Sequence, residues 1–412
     1  MTPDQLPMRP ITDAEWPAYW RTILHAFHDD WHDDSAAYER NVFELGRSLA
    51  VLDGDEPVAT TGIFTRELTV PGTVLSAAHV TMVSVRQTYR RQGLLRRMMH
   101  RQLADIAAGD EPIAVLWASE EAIYGRYGYG AASYAQSISA DTRELRLLTA
   151  FPAGRLRLAT PGEVVEDLSR VYETTRAVRP GTSSRLGAAA GDWWTQRLTD
   201  LERHRKGATE RRCVLYEIDG TVTGYALYRT KGEWDAKGPN GEVIVEELMC
   251  EDPAARMALW RFLFDLDLSR KLSAWNLPVD DPLFQLVDAP RRLGRTHNAA
   301  LYLRVVDLPA ALAARRYATP VDLVLEVSDT LLPDNAGRWR LTGDTEKASC
   351  ERTTDTPDLS LGIRELGAVY LGGTALGALA AAGLVTETRP GAVAEASAGF
   401  GWHVAPYAPE VF

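Results

Sequence analysis

The sequence is poor in cysteine. Among its 412 residues only Cys213, Cys250 and Cys350 carry a thiol, and they are far apart with no CxxC pair. Neither a disulfide framework nor a zinc site built from cysteine fits so few, widely spaced thiols. The composition therefore favours a protein of the reducing cytoplasm and excludes a small secreted domain held together by disulfides.

Long hydrophobic runs are also missing. The most apolar stretch, residues 376–385, is interrupted by glycine and is shorter than the roughly 20 residues that a membrane-spanning helix needs. The N-terminal residues show no basic start followed by an apolar segment, so no signal peptide is predicted. We expect a soluble protein that does not engage a membrane.

Positive charge is in deficit. Lys and Arg number 45 against 56 Asp and Glu, which gives a formal net charge of −11. An acidic chain is a poor match for a nucleic-acid backbone, whereas it concentrates cationic ligands near an acidic cleft. Nucleic acid is therefore not an expected partner. At roughly 100 to 200 residues per domain, the length predicts two to four domains.

One order of elements occurs twice in the chain. The first copy reads as a helix, antiparallel strands, a second helix at 93–107 and a buried strand at 113–118. Residues 155–277 repeat this order, but nothing between Cys250 and Met257 matches the sequence Arg90-Arg91-Gln92-Gly93 of the first copy. A duplicated fold with one disabled site is the economical interpretation, and a chance similarity is the alternative. Beyond residue 298, short strands and helices predict a third, α+β domain.

The segment around Gly93 carries the strongest chemical signal. A strand runs into a loop with arginines and a glycine, and the loop opens a helix whose first N–H groups lack internal partners. Gly93 lets the main chain approach a pyrophosphate, and Arg90, Arg91, Arg96 or Arg97 can bind its oxygens. The alternative is an amphipathic helix with solvated arginines, whose core face is formed by Leu94, Leu95, Met98, Leu103 and Ile106.

Two stretches carry a resemblance to a known family. The strand end around Ser84 and the loop with Arg90 and Gly93 resemble the Arg/Gln-x-x-Gly-x-Gly/Ala motif of the Gcn5-related N-acetyltransferases (GNAT). Leu95 stands where that motif has Gly or Ala, but the string RRQGLLR looks like the version in the enhanced intracellular survival (Eis) acetyltransferases. Residues 117–130, with WASE followed by IYGRYGYG, resemble the signature of the same family.

The resemblance covers the whole chain and implies a fold of mixed α/β and α+β type, with two tandem GNAT folds followed by a sterol-carrier-protein-like α+β domain. The implied ranges are 1–150 for a catalytic GNAT domain, 151–297 for a degenerate second GNAT domain, and 298–412 for the sterol-carrier-like domain. The C-terminus of the last domain is expected to reach the active site. A homohexamer is also implied.

The resemblance further implies acetyl-CoA as co-substrate, with no metal. Contacts to acetyl-CoA are then expected from the strand end, the loop, the first helical turn and a segment before the signature, namely Val83, Ser84, Val85, Arg90, Arg91, Gln92, Gly93, Leu94, Leu95, Arg96, Ser119 and Glu120.

Acetyl transfer to an amine needs a group that takes the amine proton and one that protonates the leaving thiolate. In the resembled family these are the carboxylate of a terminal Phe and the first tyrosine of the signature, which implies Phe412 as base and Tyr124 as acid. A free α-carboxylate, with a pKa of about 3.3 to 3.7, is a weak base unless desolvated. Core packing is the alternative for Tyr124, and it is the interpretation kept for Tyr127 and Tyr129.

Acidic and aromatic side chains follow the first predicted helix, including Phe27, Asp29, Asp30 and Trp31. The resemblance implies that this region lines the amine pocket, and its carboxylates would favour cationic acceptors through local concentration. Expected acceptors are aminoglycosides, other polyamines and lysine side chains of proteins. The alternative is a metal site at His25, His28 and His32, but their spacing is loose and no cysteine assists.

A different class of function stays open from the sequence. A sterol-carrier-like domain and a degenerate second GNAT copy are also compatible with a CoA-sensing or lipid-carrying protein that keeps the fold and has lost turnover. Such a protein has no need of Tyr124 or of a free terminus at Phe412, so amine-dependent release of thiol from acetyl-CoA separates the two hypotheses.

Overall fold

The first helix, α1 (Trp16–Phe27), shows how the sequence builds its core. Its buried side chains include Trp16, Tyr19, Ile23 and Leu24, whose three- or four-residue spacing puts them on one helical face. Trp16 packs on Phe43 with ring centroids 4.6 Å apart. The computed structural model describes residues 5–148, 153–186 and 192–412.

The helices and strands before residue 149 are β1 (Met8–Arg9), α1, α2 (Asp33–Arg40), β2 (Leu49–Asp53), β3 (Glu56–Val70), β4 (Thr73–Val85), α3 (Leu94–Ala107), β5 (Ile113–Trp117), α4 (Glu121–Tyr124), β6 (Gly130–Ala131) and β7 (Tyr134–Asp141). The helix and the buried strand predicted around residues 93–107 and 113–118 are confirmed as α3 and β5.

The next elements are β8 (Arg155–Ala159), α5 (Val165–Arg176), α6 (Trp193–Leu198), β9 (Arg212–Ile218), β10 (Thr221–Lys231), β11 (Trp234–Asp235), β12 (Gly238–Pro239), β13 (Gly241–Cys250), α7 (Pro253–Phe264), β14 (Ser269–Pro278), α8 (Leu283–Leu286), β15 (Thr296–Ala299) and β16 (Leu301–Val305). The last elements are α9 (Leu308–Ala314), β17 (Val321–Ser328), β18 (Gly337–Gly343), β19 (Ala348–Arg352), β20 (Leu359–Gly362), α10 (Ile363–Val369), α11 (Leu376–Ala381), β21 (Val385–Glu387) and α12 (Ala392–Phe400).

Two large sheets have the same plan. The first sheet has the strand order β1-β2-β3-β4-β5-β16-β6, and the second has the order β8-β9-β10-β13-β14-β7-β15. In each sheet an antiparallel hairpin leads to a pair of parallel strands, β4 with β5 and β13 with β14. The order of elements that occurs twice in the sequence therefore corresponds to two similar sheets.

The two sheets exchange strands. β7 follows the first sheet along the chain but pairs with β14 in the second, and β16 follows the second sheet but pairs with β5 in the first. The ranges 1–150, 151–297 and 298–412 therefore stay a proposal for the domains, because hydrogen-bonded strands cross both expected boundaries. The exchange ties the two sheets to each other through the backbone.

The third sheet, of order β19-β18-β17-β20-β21, packs against the first. One hydrophobic cluster joins residues of the first sheet, such as Val115 and Leu303, to residues of the third region, such as Leu325 and Leu366. After α12 the chain runs as an irregular tail to Phe412. In the described part of the chain we find no helix with the length and apolar character needed to cross a bilayer.

Candidate active site

The parallel contact between β4 and β5 is short, and this makes an opening in the first sheet. Ala77, Ala78 and His79 pair with Ile113, Ala114 and Val115, and the pairing ends there. β4 continues to Val85 along β3, while β5 continues along β16. The two strands therefore diverge beyond His79, and both edges at the opening carry main-chain groups that do not pair with each other.

β4 bends at the opening. Its register with β3 shifts between Thr60 and Gly62, and Met82 adopts a left-handed φ of 54°, as at a β-bulge. Thr60 holds the bend because its hydroxyl donates to the Met82 carbonyl at 2.8 Å and lies 2.6 Å from the Ser84 hydroxyl. The bulge directs the strand end at Val83 and Val85, both half-buried, away from the regular pleat.

The strand leads to a loop that opens α3. Arg91 and Gly93 have φ angles of 64° and 87°, and Gly93 is the N-cap residue. No side chain caps this helix and its first turn contains no acidic residue. The donors of the first turn therefore point outward with the positive end of the helix dipole, as an anion site requires.

Side chains of this loop divide into outward and inward groups. Arg90, Arg91 and Arg96 are exposed. Gln92 donates to the Thr88 carbonyl at 3.0 Å, which braces the loop. Leu94 is buried in the core, so only its main chain can face a ligand, and Leu95 is half-buried in the same cluster. The core face and the anion site are therefore compatible parts of one helix.

The segment after β5 lies at the other edge of the opening. Ser119 and Glu120 are exposed, and the Glu120 carbonyl accepts from the Ile123 N–H at 3.1 Å at the start of α4. Tyr124 ends this helix and is buried. Its cluster contains Ala78 and Val80 of β4, with Val83 half-buried against it. Tyr124 therefore belongs to the same hydrophobic cluster as the strand that forms the opening.

Burial raises the pKa of Tyr124 to about 12, so the phenol stays protonated at neutral pH. Its ring meets that of Tyr129 edge-on at 6.1 Å. The following turn is fixed from outside, because a side chain at Gly128 would come within 2.8 Å of Arg304, and one at Gly130 would come within 2.2 Å of the Arg364 carbonyl. β16, which carries Arg304, and α10, which carries Arg364, therefore hold the turn that follows Tyr124.

The chain end reaches the same opening. The ring of Phe412 lies edge-on to His79 with centroids 4.7 Å apart, and His79 is the last residue of β4 that pairs with β5. Phe412 also packs against a small cluster formed by Val42, Phe64 and Trp193. Phe412 thus contacts β4 at His79, while Tyr124 belongs to the cluster that contains the neighbouring β4 residues Ala78 and Val80.

His79 is fully buried and lies under the Phe412 ring. Its Nε2 is 2.7 Å from the Ser183 hydroxyl and its Nδ1 is 3.0 Å from the Ala77 carbonyl. Burial and the nearby Arg66 lower the pKa of His79 to about 3, so the imidazole is neutral at physiological pH. Sequence reasoning did not single out His79, since nothing local marks it.

The expected acceptor residues lie at the end of α1. Phe27, Asp29 and Asp30 are exposed, while Trp31 is half-buried and donates from Nε1 to Asp33 at 2.7 Å. These four residues form a region of acidic and aromatic character on the surface. In the described parts of the chain, no group of three or more His, Cys, Asp and Glu side chains is arranged to hold a metal ion.

A cavity of about 290 Å³ lies beside the chain end and was not anticipated from the sequence. It is lined by residues from α2, α6, the second sheet and the tail, including Tyr38, Trp193, Gln196, Arg211 and Val411. None of the four expected acceptor residues lines it. A local pattern could not reveal this cavity, because its walls come from segments more than 150 residues apart.

Comparisons with known proteins agree with this architecture. Residues 7–132 and residues 190–305 each match the family described as acetyltransferase (GNAT) domain, and residues 308–409 match the sterol carrier protein domain. An uncharacterized N-acetyltransferase of Streptomyces coelicolor is 45% identical over 98% of this chain and 99% of its own length.

The N-acetyltransferase Eis of Mycobacterium tuberculosis is 34% identical over 90% of this chain and 90% of its own length. Among solved structures, Eis1 of Mycobacterium abscessus superimposes with a TM-score of 0.83 at 33% identity, over 98% of this chain and 100% of that chain. A GCN5-related N-acetyltransferase of Anabaena variabilis shares the fold, with a TM-score of 0.85 at 19% identity.

The fold and the opening in the first sheet define a GNAT acetyltransferase, an enzyme that acts on amine substrates with acetyl-CoA as co-substrate. The expected fold class, two tandem GNAT domains and a C-terminal sterol-carrier-like domain, is confirmed. Within this class the chain belongs to the Eis family of N-acetyltransferases.

Proposed function

We propose that this enzyme transfers acetyl from acetyl-CoA directly to a primary amine, with Tyr124 as general acid and the Phe412 carboxylate as general base. The observation that supports this proposal is that Phe412 packs on His79, where β4 leaves β5, while Tyr124 belongs to the cluster that contains the adjacent β4 residues Ala78 and Val80. Two groups that move protons in opposite directions are then available on either side of one opening.

The diphosphate of acetyl-CoA binds at the uncapped start of α3. Main-chain N–H groups from Gly93 to Arg96 donate to its oxygens, including those of Leu94 and Leu95, and Gly93 permits close approach. The exposed guanidinium groups of Arg90, Arg91 and Arg96 add charge-assisted hydrogen bonds. Gln92 supports the loop through Thr88 rather than binding the phosphates by its side chain.

When bound, acetyl-CoA supplies an electrophilic acyl carbon and a thiolate leaving group. The main chain of β4 from Val83 to Val85 is not paired with β5. The N–H groups of Val83 and Val85, which alternate with that of Ser84 in the ladder with β3, donate to the acyl oxygen as negative charge develops there. Ser119 and Glu120 contact the cofactor from the opposite edge. These contacts hold the acyl group between the acid and the base.

Tyr124 donates its phenolic proton to the departing sulfur. Its pKa of about 12 keeps the proton in place until negative charge appears on the thiolate. The Phe412 carboxylate takes the proton that the attacking amine loses. A carboxylate with an ordinary pKa of about 3.3 to 3.7 can do so because the proton becomes acidic only as the new bond forms.

The acceptor is a primary amine of a cationic molecule: an aminoglycoside, another polyamine or a protein lysine. Phe27, Asp29, Asp30 and Trp31 attract such acceptors toward the opening. We further propose a homohexamer acting in the cytoplasm, as in the family that the sequence resembles. Analytical ultracentrifugation of the full chain tests the hexamer, and a monomer or dimer at micromolar concentration contradicts it.

The decisive experiment measures thiol release from acetyl-CoA with a panel of primary amines, for the native chain and for a variant with one glycine added after Phe412. We expect amine-dependent release by the native chain. The added residue moves the carboxylate and should reduce turnover about 100-fold while acetyl-CoA still binds. Full turnover by the extended chain rejects the terminal base, and binding without release across the panel favours a CoA-sensing or lipid-carrying role.

A further inference from the structure

A buried ion cluster holds the tail two residues before its end. The carboxylate of Glu410 pairs with Arg66 through Oε1, and its Oε2 accepts from Nε of Arg185 at 3.0 Å. Arg66 lies on β3 of the first sheet. Arg185 lies between α5 and α6 and pairs with Glu247 of β13 in the second sheet. Glu410 is thus bound by one arginine from the first sheet and by a second arginine that is itself paired with the second sheet.

The two arginines are themselves fixed. Arg66 donates from Nε to the Ser184 carbonyl at 2.9 Å and stacks on Trp193, with its guanidinium carbon 3.9 Å from the ring centroid. Arg185 donates to both carboxylate oxygens of Glu247, at 3.0 and 2.7 Å. The side chains of both arginines are 0% exposed and that of Glu410 is 13% exposed.

Such a cluster is costly to build. Removing several charges from water carries a desolvation penalty that buried ion pairs often fail to recover, so the cluster is a weak source of stability. What it does supply is a defined geometry, because the Glu410 carboxylate accepts from both guanidinium groups and Arg185 donates to both oxygens of Glu247. The segment held in that geometry is the end of the irregular tail.

The terminal carboxylate lies within reach of this cluster. Only Val411 stands between Glu410 and the terminal residue, so the Phe412 Cα, which carries the carboxylate, is confined to within about 7 Å of the Glu410 Cα. Val411 between them is 55% exposed and has little packing of its own. The ring of Phe412 on His79 is the second anchor. The position of the terminal carboxylate is therefore restrained by Glu410 on one side and by the Phe412 ring on the other.

We propose that Glu410, clamped between Arg66 and Arg185, is a positioning residue that sets the place of the Phe412 carboxylate for proton removal from the amine. This inference rests on the proposed role of that carboxylate as the base. Glu410 itself faces the two arginines and need not touch acetyl-CoA or the amine. Its loss acts through the geometry of the chain end.

The state of Glu410 fits this role. Burial alone would raise the pKa of Glu410, but Arg185 and Arg66 together lower it below its ordinary value. The carboxylate therefore stays charged at neutral pH and keeps both guanidinium groups engaged. An amide at this position keeps the size of the side chain and loses the charge, which makes Glu410→Gln the sharpest variant.

The test compares Glu410→Gln, Glu410→Asp and the glycine-extended chain, with Glu326→Gln as matched control. Glu326 pairs with Arg338 at 3.1 Å on the surface of the third sheet, where both side chains are exposed by more than 40%. We expect Glu410→Gln to lower kcat about 10- to 100-fold with the KM for acetyl-CoA unchanged. Glu410→Asp should recover part of kcat, and Glu326→Gln should match the native chain.

The outcomes separate this inference from the proposed base. If the extended chain loses turnover while Glu410→Gln keeps native kcat, the positioning role of Glu410 is rejected and the Phe412 carboxylate is retained as the base. If the extended chain keeps turnover, the Phe412 carboxylate is rejected as the base, and the proposed positioning role of Glu410 is rejected with it. If Glu410→Gln loses acetyl-CoA affinity together with kcat at a temperature where the variant is folded, Glu410 has a general structural role and the inference is overturned.

Discussion

The two GNAT domains differ at the helix that follows the first strand of each parallel pair, and the difference supports the proposal that only the first domain binds a CoA phosphate. In the first, Gly93 precedes α3 with no capping side chain. In the second, Asp252 caps α7, its carboxylate accepts from the Ala255 N–H at 2.8 Å, and Pro253 removes a further donor. The second helix has already satisfied its terminus with an internal anion.

The C-terminal tail also makes different contacts at the two openings. In the second sheet, Tyr407 belongs to the same hydrophobic cluster as Met249 of β13, and its hydroxyl donates to the Asn276 carbonyl of β14 at 3.1 Å. The amide of Asn276 donates to the Ala408 carbonyl at 2.9 Å. The tail thus joins the second pair of strands where they part, whereas at the first opening only its last ring enters. One opening is closed and the other remains available.

The largest expected effect concerns Tyr124, the proposed general acid of the first domain. Tyr124→Phe should lower kcat about 10²- to 10⁴-fold, because the thiolate then leaves without a proton donor. Tyr129→Phe is the matched control, since the Tyr129 hydroxyl is buried with no hydrogen-bond partner among the described residues. Steady-state thiol release measures both, and equal turnover of the two variants rejects Tyr124 as the acid.

The next effect concerns the residue at which each parallel pair ends, His79 in the first sheet and Val245 in the second. The folded-state pKa of His79, about 3, lies below its unfolded value of about 6.5. The unfolded chain therefore binds a proton first as pH falls, and stability present above pH 6.5 is lost progressively down to about pH 3. Between pH 7 and pH 5 the loss from this residue is about 2 kcal/mol.

His79→Val, which copies the second sheet, should remove this part of the pH dependence. Urea unfolding of both proteins at pH 7 and pH 5 provides the measurement. The variant is expected to be less stable than the native chain at pH 7, with a smaller gap at pH 5. Parallel losses in the two proteins would contradict the assignment of this slope to His79.

A smaller effect is expected at Gly93, the residue that keeps the first helix terminus open. Gly93→Ala strains a position with φ of 87° and pushes a methyl group toward the phosphate site, so the KM for acetyl-CoA should rise about tenfold. Gly220→Ala, in a hairpin of the second sheet with φ of 79° and open space around it, provides the control. A similar KM for both variants would contradict the proposal that the diphosphate of acetyl-CoA binds at Gly93.

The smallest effect is expected at Asp252, which closes the second helix terminus. Asp252→Ala should lower the free energy of unfolding by about 1 kcal/mol, because one capping hydrogen bond and one favourable charge at the helix dipole are lost. Acetyl-CoA affinity should stay the same. A large change in acetyl-CoA binding would mean that the second terminus also binds the co-substrate, and the contrast between the domains would fail.

Local patterns in the sequence were sufficient for the elements on which the site depends. The helical spacing of Leu94, Met98 and Leu103 predicted α3, and the glycine before it predicted an uncapped terminus. The apolar run at β5 predicted a buried parallel strand. Signals of this kind lie within one or two turns of chain, where periodicity and capping chemistry operate.

The exchange of β7 and β16 between the sheets had no such signal. Each of these strands has the alternation or apolar content of a strand in either sheet, so the choice of partner depends on packing over more than 100 residues of chain. The expected domain ranges could not anticipate it. The same holds for Glu410, whose partners Arg66 and Arg185 are 344 and 225 residues distant in sequence.

The amino-acid sequence by itself determined the two GNAT copies, the uncapped helix start at Gly93 where we propose that an anion binds, and the signature that carries Tyr124, because these depend on neighbours along the chain. The tertiary structure alone decided that the tail ends on His79, that Glu410 is held by two buried arginines, and that a cavity forms beside Val411. Each of these requires side chains from distant segments to share one desolvated space, and the free energy of that arrangement exists only when the sheets have packed.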